Sequence, residues 1–396
     1  MNEITLSQRV QRVKPSPTLA VSARAAELRA AGADIIGLGV GEPDFDTPDH
    51  IKQAAIQAIK QGATRYTAVD GTPELKSAII NKFQRDNGLS YQPDQILVSC
   101  GGKHSFYNLA QALLNPGDEV IIPAPYWVSY PDMVKLADGE PVFIKAGLEQ
   151  TFKITPEQLD AAITPRTRLF VINSPSNPTG VTYSREQLKG LADVLLSHPH
   201  VLIATDDMYE HIIWGKEPFA NIVNVCEELF PRTIVLNGVS KAYAMTGWRL
   251  GYLIAPKQSV RTLQSQHQNF LISANNFVQL AGIAALNECE EDVGKMRAEY
   301  NKRRQHIIPR LESIGLKVQT MPAGAFYVLA DARHISHDSL ALSKQILEET
   351  GVAVTAGIDF GEGAEGFLRF SYANSLEKID RAIDLLEEMF RAKDWL

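Results

Sequence analysis

Cysteine is scarce in this sequence. Only three of its 396 residues are cysteines, Cys100, Cys226 and Cys289, an odd number spread far apart along the chain. A disulfide framework or a zinc site uses cysteines at close, regular spacings, which are missing here. We therefore expect no disulfide scaffold and no metal site, and we interpret the three residues as small core side chains in a reducing cytoplasm.

Long apolar runs and an excess of positive charge are missing too. No stretch approaches the roughly 20 apolar residues that span a bilayer, and residues 1–13 are polar rather than a secretory signal. The chain has 39 Lys and Arg against 46 Asp and Glu, a net charge of −7, whereas sequence-independent nucleic-acid binding needs clustered positive charge. The sequence predicts a cytoplasmic protein that binds neither membranes nor nucleic acids.

Apolar runs that alternate with helical patterns indicate the fold class. At 396 residues, with 45% hydrophobic residues, the chain can bury large cores. Runs without polar alternation are typical of strands buried on both faces, and so of a mostly parallel sheet covered by helices. We predict an α/β large domain of three layers, αβα, with strands at 96–100, 119–122, 141–144, 169–172, 201–204 and 234–236. Thr47 is predicted to cap a helix that ends near Gly62.

A smaller α+β domain is expected after residue 289. A long charged helix at 290–313 is interpreted as the connection to it, and a final amphipathic helix begins at Leu376. Strands are predicted at 317–320, 326–329, 352–354 and 367–370. The expected division is therefore an N-terminal arm with part of the small domain at 1–45, the large domain at 46–289 and the small C-terminal domain at 290–396.

A lysine and an arginine after the predicted strand at 234–236 suggest covalent chemistry. Lys241 follows this apolar run, and Arg249 comes eight positions later. A buried lysine loses its proton easily, and its neutral amine forms a Schiff base with an aldehyde. The planar fork of an arginine suits a phosphate. Aldehyde and phosphate together describe pyridoxal phosphate (PLP), although two surface cations in a turn would give the same spacing.

Four other segments follow predicted strands and could reach the same cofactor. Asp206 could keep a pyridine nitrogen protonated, and Tyr209 and Asn177 could reach the ring's phenolate oxygen. Gly101 and Gly102 open a helix whose N–H groups could bind phosphate. Trp127 offers a flat ring for stacking. Taken singly, each segment is equally a turn or a core contact, and only their convergence favours a site.

Together these segments resemble fold-type I PLP-dependent enzymes, and specifically class I aminotransferases of the aspartate aminotransferase family. The motifs are Asn-Pro-Thr-Gly at 177–180, Asp-x-x-Tyr-Glu at 206–210, Ser-Lys-x-x-x-Met-Thr-Gly-Trp-Arg-Leu-Gly at 240–251 and Arg-Phe-Ser-Tyr-Ala at 369–373. They occur in the family's order, and the likeness extends from about Val13 to the C-terminus. It implies the fold of type I PLP-dependent transferases and transfer of an amino group between an amino acid and a 2-oxo acid.

The resemblance also implies residue roles. Lys241 resembles the catalytic Schiff-base lysine, and Arg369 the clamp on the substrate α-carboxylate, with Gly39 beside it. The bacterial branch that accepts aspartate and sometimes prephenate places Lys14, Ser16, Thr18 and Lys103 around a second carboxylate. The remaining cofactor contacts implied are Asp206 on the pyridine nitrogen, Tyr209 and Asn177 on the phenolate oxygen, Trp127 on the ring, and Arg249, Gly102 and Lys103 on the phosphate. Trp127 and Asn177 also adjoin the substrate.

Tyr66 matches a tyrosine that reaches the phosphate of the neighbouring subunit, so the resemblance implies a homodimer with shared active sites. The chain departs from many relatives at Gly238, where they carry a serine whose hydroxyl contacts phosphate, and at Asp207, where glutamate is commoner. The substrates expected are aspartate or glutamate and a 2-oxo acid. Prephenate, alanine or aromatic partners stay open, as does carbon–sulfur β-elimination; a PLP-sensing regulator is disfavoured because no basic domain precedes Val13.

Overall fold

The structure is a computed structural model that describes residues 5–13, 17–215 and 217–396, with the backbone alone at 17–19. Its strands are β1 Ile36–Gly37, β2 Ile96–Ser99, β3 Glu119–Ala124, β4 Glu140–Lys145, β5 Thr167–Asn173, β6 Leu202–Asp206, β7 Thr233–Gly238, β8 Gly251–Ile254, β9 Tyr327–Asp331, β10 Val352–Ala353, β11 Thr355–Ala356 and β12 Phe367–Ser371. Its helices are α1 Gln8–Gln11, α2 Pro17–Ala30, α3 Asp49–Lys60, α4 Pro73–Asn87, α5 Gly102–Leu113, α6 Ser129–Leu136, α7 Pro156–Ala162, α8 Arg185–Ser197, α9 Lys257–Phe270, α10 Asn276–Glu288, α11 Glu290–Ser313, α12 Ser339–Thr350 and α13 Leu376–Ala392.

A seven-stranded sheet forms the centre of the molecule, in the order β2-β8-β7-β6-β5-β3-β4. The pairs from β7 to β4 are parallel, and β8 runs antiparallel to both of its neighbours. The predicted α/β class with a mostly parallel sheet is confirmed. Strand β8 was not predicted, because its short apolar run follows directly on the 240–251 motif and offers no separate boundary.

Both faces of this sheet are covered by helices, because successive side chains of a strand point to opposite faces. Leu97 and Leu253 belong to one core together with Phe106 of α5. Val98 and Ile254, the next residues along, belong to another core, which includes Phe83 of α4. This three-layer packing places the carboxyl ends of the parallel strands at one edge, where their loops converge.

A three-stranded antiparallel sheet, β11-β12-β9, packs with α11 and α13 around a further core. The predicted strand at 317–320 is wrong, since only an isolated bridge joins Lys317 to Asp331. Pro322 follows this run and has no N–H with which to extend a ladder. In the described part of the chain, no helix has the length and apolar character that a membrane crossing requires.

The start of helix α3 differs from the prediction. Its N-cap is Pro48, which offers no side-chain hydrogen bond. The hydroxyl of Thr47 instead donates to the Ala244 carbonyl oxygen at 2.6 Å and accepts from Trp248 Nε1 at 3.0 Å. Thr47 therefore tethers the segment that follows Lys241, a tertiary role that a capping pattern does not reveal.

Candidate active site

A cavity of about 470 Å³ opens where the carboxyl ends of β6 and β7 meet β12. This volume lies within the range of sites for small molecules and cofactors. Ten of the residues singled out in the sequence line it: Gly39, Gly102, Lys103, Trp127, Asn177, Asp206, Tyr209, Lys241, Arg249 and Arg369. The structure thus brings together residues from seven strands or the loops that follow them, which are far apart in the chain.

Of the other predicted residues, the structure describes the side chain of Tyr66 alone. The Tyr66 side chain is 81% exposed and lines a neighbouring groove of about 1380 Å³, which shares Glu42, Thr246 and Arg249 with the cavity. Lys14 and Ser16 fall outside the described residues, and so does the side chain of Thr18.

Lys241 stands three residues beyond the end of β7 and faces into the cavity. Its Nζ donates to the Gly41 carbonyl oxygen. Burial lowers the pKa of Lys241 from 10.5 to about 8, the negative charge of Glu42 partly offsets this, and the nearby Arg369 and Arg249 add to the lowering. A substantial fraction of the amine is therefore neutral near pH 8, as nucleophilic attack on an aldehyde requires.

Asp206 is the last residue of β6 and borders the same cavity. It accepts hydrogen bonds from the Tyr130 hydroxyl and, at 3.2 Å, from the Met208 backbone N–H. Burial raises the pKa of Asp206, while these bonds oppose the rise. Because burial removes water that would stabilise the ionised carboxylate, a cationic neighbour is favoured, since its opposite charge stabilises that form instead. Tyr130 was not predicted, although it lies one helical turn beyond Trp127.

Positive charge gathers at the N-terminus of α5. Gly101, the N-cap at φ +85°, lies against Arg249, whose Nη1 donates to the Thr246 carbonyl oxygen at 3.0 Å. A Cβ on Gly101 would come 2.5 Å from Arg249 Nη2. Burial and the charge of Arg249 lower the pKa of the adjacent Lys103. Free N–H groups, helix dipole and guanidinium together suit an anion such as phosphate.

The absence of a side chain at Gly238 has a packing reason. A Cβ there would lie 3.0 Å from both Gly251 Cα and the Leu250 carbonyl oxygen, because β7 and β8 approach each other closely at this pair. A serine would require the two strands to separate by a few tenths of an ångström. The missing hydroxyl thus coincides with a tight strand pair.

Arg369 of β12 is buried and also lines the cavity. Its Nη1 donates to Asn177 Oδ1 at 2.7 Å, and its Nη2 donates to the Gly39 carbonyl oxygen and, at 3.2 Å, to Thr355 Oγ1. All three acceptors are neutral. Burial lowers the pKa of Arg369, and its buried Nε has no hydrogen-bond partner, so the group suits a bound carboxylate.

Aromatic rings complete the walls. The guanidinium of Arg369 lies 4.5 Å from the ring centroid of Tyr327, whose hydroxyl is 2.7 Å from that of Tyr209. Lys103 Nζ lies 5.2 Å from the ring centroid of Trp127. Neither Tyr327 nor Thr355 was singled out in the sequence, because Tyr327 meets Tyr209 from a distant segment and Thr355 meets Arg369 from the neighbouring strand.

The cavity fits PLP group by group. An amine of lowered pKa faces it for the aldehyde, a half-buried carboxylate for the ring nitrogen, and a helix N-terminus with Arg249 for the phosphate. Trp127 supplies a flat wall, and Tyr209 and Asn177 supply polar groups.

Comparison with known proteins gives concordant matches. A family model described as "Aminotransferase class I and II" matches residues 33–386. The aspartate/prephenate aminotransferase of Nitrosomonas europaea is 51% identical over 389 residues, which cover 96% of this chain and 98% of that protein. The aspartate aminotransferase of Geobacillus stearothermophilus is 45% identical over 396 residues, covering 98% of this chain and 99% of that protein.

Solved structures of similar sequence share the fold. The aspartate aminotransferase of Rhizobium meliloti matches with a TM-score of 0.94 and 41% identity, covering 98% of each chain. The aspartate aminotransferase of Thermus thermophilus with maleate matches with a TM-score of 0.92 and 43% identity, covering 98% of this chain and 100% of that chain.

Proposed function

This chain belongs to the class I and II aminotransferases, and on that premise we propose that it transfers the α-amino group between aspartate or glutamate and a 2-oxo acid. The protein is a PLP-dependent aminotransferase. Its reaction runs in two halves, in which one amino acid leaves as its 2-oxo acid before a second 2-oxo acid enters. The choice of an acidic substrate rests on one observation: Lys103 lines the same cavity as Arg369, so the cavity offers a second cation for a second carboxylate.

When bound, PLP supplies an aldehyde that condenses with an amine and a ring that accepts negative charge from the substrate Cα. Lys241 would hold the cofactor at rest, and its freed Nζ would take the proton from the substrate Cα as a base and release it again as an acid. Its lowered pKa suits both steps, because the amine must accept and release a proton near neutral pH.

Asp206 is proposed to keep the ring nitrogen protonated, with Tyr130 orienting its carboxylate. Arg369 binds the substrate α-carboxylate beside Gly39 and so directs the Cα toward Lys241. The remaining proposed cofactor contacts are Trp127 on the ring, Tyr209 and Asn177 on the phenolate oxygen, and Gly102, Lys103 and Arg249 on the phosphate.

A second cationic group in the cavity that Arg369 lines favours a substrate with two carboxylates. Lys103 Nζ lies over the Trp127 ring and faces the same cavity. The Thermus thermophilus aspartate aminotransferase was solved with maleate, which is a dicarboxylate. Lys14, Ser16 and Thr18 remain proposed companions of Lys103. Prephenate is a second candidate acceptor, favoured by the name of the Nitrosomonas europaea relative.

We also propose a cytoplasmic homodimer. Tyr66 is exposed on a groove that shares Arg249 with the cavity, a position from which it could contact a second copy's phosphate. Three free cysteines, two of them buried, suit a reducing compartment.

The test is to mix the purified holoenzyme with a panel of amino acids and follow the loss of the cofactor's visible absorbance. Aspartate and glutamate should react fastest, and the absorbance should return on addition of a 2-oxo acid. Release of pyruvate and ammonia from a cysteine conjugate without any 2-oxo acid would instead indicate a carbon–sulfur lyase.

The Lys103→Ala variant tests the acidic specificity. One hydrogen bond between charged groups contributes about 1.5–3 kcal/mol, so kcat/KM for aspartate and glutamate should fall about 10- to 150-fold. Alanine, which has no second carboxylate, serves as the matched substrate and should lose little. The backbone N–H proposed for phosphate binding is kept in this variant. Equal losses for all three amino acids would refute the assignment.

A further inference from the structure

A buried ion pair lies outside the cavity lining, behind the loops that carry Asp206 and Lys241. It joins Lys82 of α4 to Glu210, and the two side chains are only 1% and 3% exposed. Glu210 stands four residues after Asp206. None of the catalytic steps above uses either residue, and an ion pair this buried gives little net stability unless its remaining bonds are also satisfied.

The bonds around Glu210 connect the two loops. Its Oε1 also accepts from Asn237 Nδ2 at 2.6 Å, and its Oε2 accepts from Asn87 Nδ2 at 2.9 Å. Asn237 belongs to β7, four residues before Lys241, and its Oδ1 accepts from the Gly238 backbone N–H at 2.7 Å. Lys82 Nζ donates in addition to Asn87 Oδ1 at 2.9 Å. Each carboxylate oxygen thus has a neutral donor, and Oε1 is also bonded to the Lys82 cation.

Glu210 stays ionised at neutral pH. Burial would raise the pKa of Glu210, but the charges of Lys82 and His211 and the bonds from Lys82 and Asn87 lower it to about 2. His211 Nε2 lies 3.7 Å from Glu210 Oε1 and 3.6 Å from Asp86 Oδ2, and burial lowers the pKa of His211. The neighbouring Asp207 is bonded instead to Thr205 and Asn221. Glu210 is therefore a permanent anion rather than a pH switch.

We propose that Lys82 and Glu210 are positioning residues of the aminotransferase, which hold the loop after β6 and the end of β7 at a fixed separation. Glu210 is anchored to α4 by Lys82 and Asn87, and it holds β7 through Asn237. The distance between the Asp206 carboxylate and the Lys241 amine is thereby set from behind the cavity. This inference rests on the proposed roles of Asp206 and Lys241.

The test compares the holoenzymes of Glu210→Gln, Lys82→Met and the double variant. A misplacement of about 1 Å costs on the order of 100-fold in rate, so kcat should fall about 10- to 100-fold with KM little changed. The visible circular dichroism per bound PLP should fall as well, because the cofactor is held less rigidly. The double variant should recover part of the loss of Lys82→Met, since it leaves no unpaired buried charge.

Glu119→Gln is the matched control. Glu119 is also buried and paired with an arginine, Arg166, but it begins β3, at the end of the sheet away from the cavity. The Glu119→Gln variant should have a lower thermal midpoint, with kcat and the visible circular dichroism per bound PLP unchanged. If the Glu210 variants behave in the same way, the pair only stabilises the fold and the inference is overturned. A wild-type protein without transamination would overturn the proposed function as well.

Discussion

Replacing Arg369 by lysine tests how the substrate is held. Lysine keeps the positive charge but cannot form two parallel bonds to one carboxylate. Arg369 is buried and packs against Tyr327 and Phe360, with ring centroids 4.5 and 4.8 Å away. These rings restrict the direction from which a side chain can reach the α-carboxylate. We therefore expect the lysine variant to make one charge-assisted bond where arginine makes two.

The size of the loss follows from the lost bond. One hydrogen bond to a charged group contributes about 1.5–3 kcal/mol, which corresponds to a fall in kcat/KM of about 10- to 150-fold. Arg369→Gln removes the charge and both bonds, so the fall should reach about 10²- to 10⁴-fold by the same arithmetic. Because every amino acid carries the α-carboxylate, the factor should be the same for aspartate, glutamate and alanine.

The assay is steady-state transamination with these three amino acids, with cofactor content checked by visible absorbance and folding by the thermal midpoint. Arg333→Lys is the matched control. Arg333 also stacks on an aromatic ring, with its Cζ 4.9 Å from the centroid of Phe367, and it pairs with Asp331 outside the cavity. It should keep wild-type kcat/KM. The reasoning would be refuted if Arg369→Lys lost much more kcat/KM for aspartate and glutamate than for alanine. It would also be refuted if the loss were no larger than in Arg333→Lys.

Three further substitutions probe the cofactor end and the core beneath it. Gly101→Ala should weaken PLP binding in a cofactor titration, since φ +85° costs about 1–2 kcal/mol with a side chain and the new Cβ displaces Arg249; unchanged affinity would contradict this. Gly238→Ser should lower the thermal midpoint without tightening PLP binding, because its Cβ is 3.0 Å from β8; tighter binding at unchanged stability would be the opposite result. Burial raises the pKa of Asp207 from 3.8 to about 7, so between these values the folded state keeps a proton that the unfolded state has released. The free energy of unfolding should therefore fall as pH rises through that window. Urea unfolding at several pH values should show a smaller fall for Asp207→Asn than for the wild type, and identical pH profiles would contradict the raised pKa.

Much of the fold and of the site was readable from local patterns. Apolar runs predicted the strands of the central sheet, because burial on both faces removes polar alternation. The residues after those runs were candidates for one site because parallel strands end at a common edge. The family's motifs supplied the roles of Lys241, Asp206 and Arg369. The domain boundaries near 45 and 289 and the individual roles stay predictions.

Contacts between distant segments were beyond those patterns. Tyr130 reaches Asp206 across 76 positions, and Lys82 reaches Glu210 across 128. Whether β8 forms a strand and residues 317–320 do not depends on which partner strand lies beside each segment. Likewise, Thr47 bonds the Ala244 carbonyl oxygen instead of capping a helix because that distant segment packs beside it.

The sequence by itself determined which groups can do chemistry here: an amine, a carboxylate, an anion-binding helix start and a guanidinium, each in a recognisable motif. Only the tertiary structure decided the pKa values of these groups and the space around them. Burial lowers the pKa of Lys241 and raises that of Asp206, and β8 approaches so closely that a Cβ at Gly238 would lie 3.0 Å from Gly251 Cα. The physical reason is that desolvation and steric contact depend on what packs around a residue, and that surrounding comes from every part of the chain.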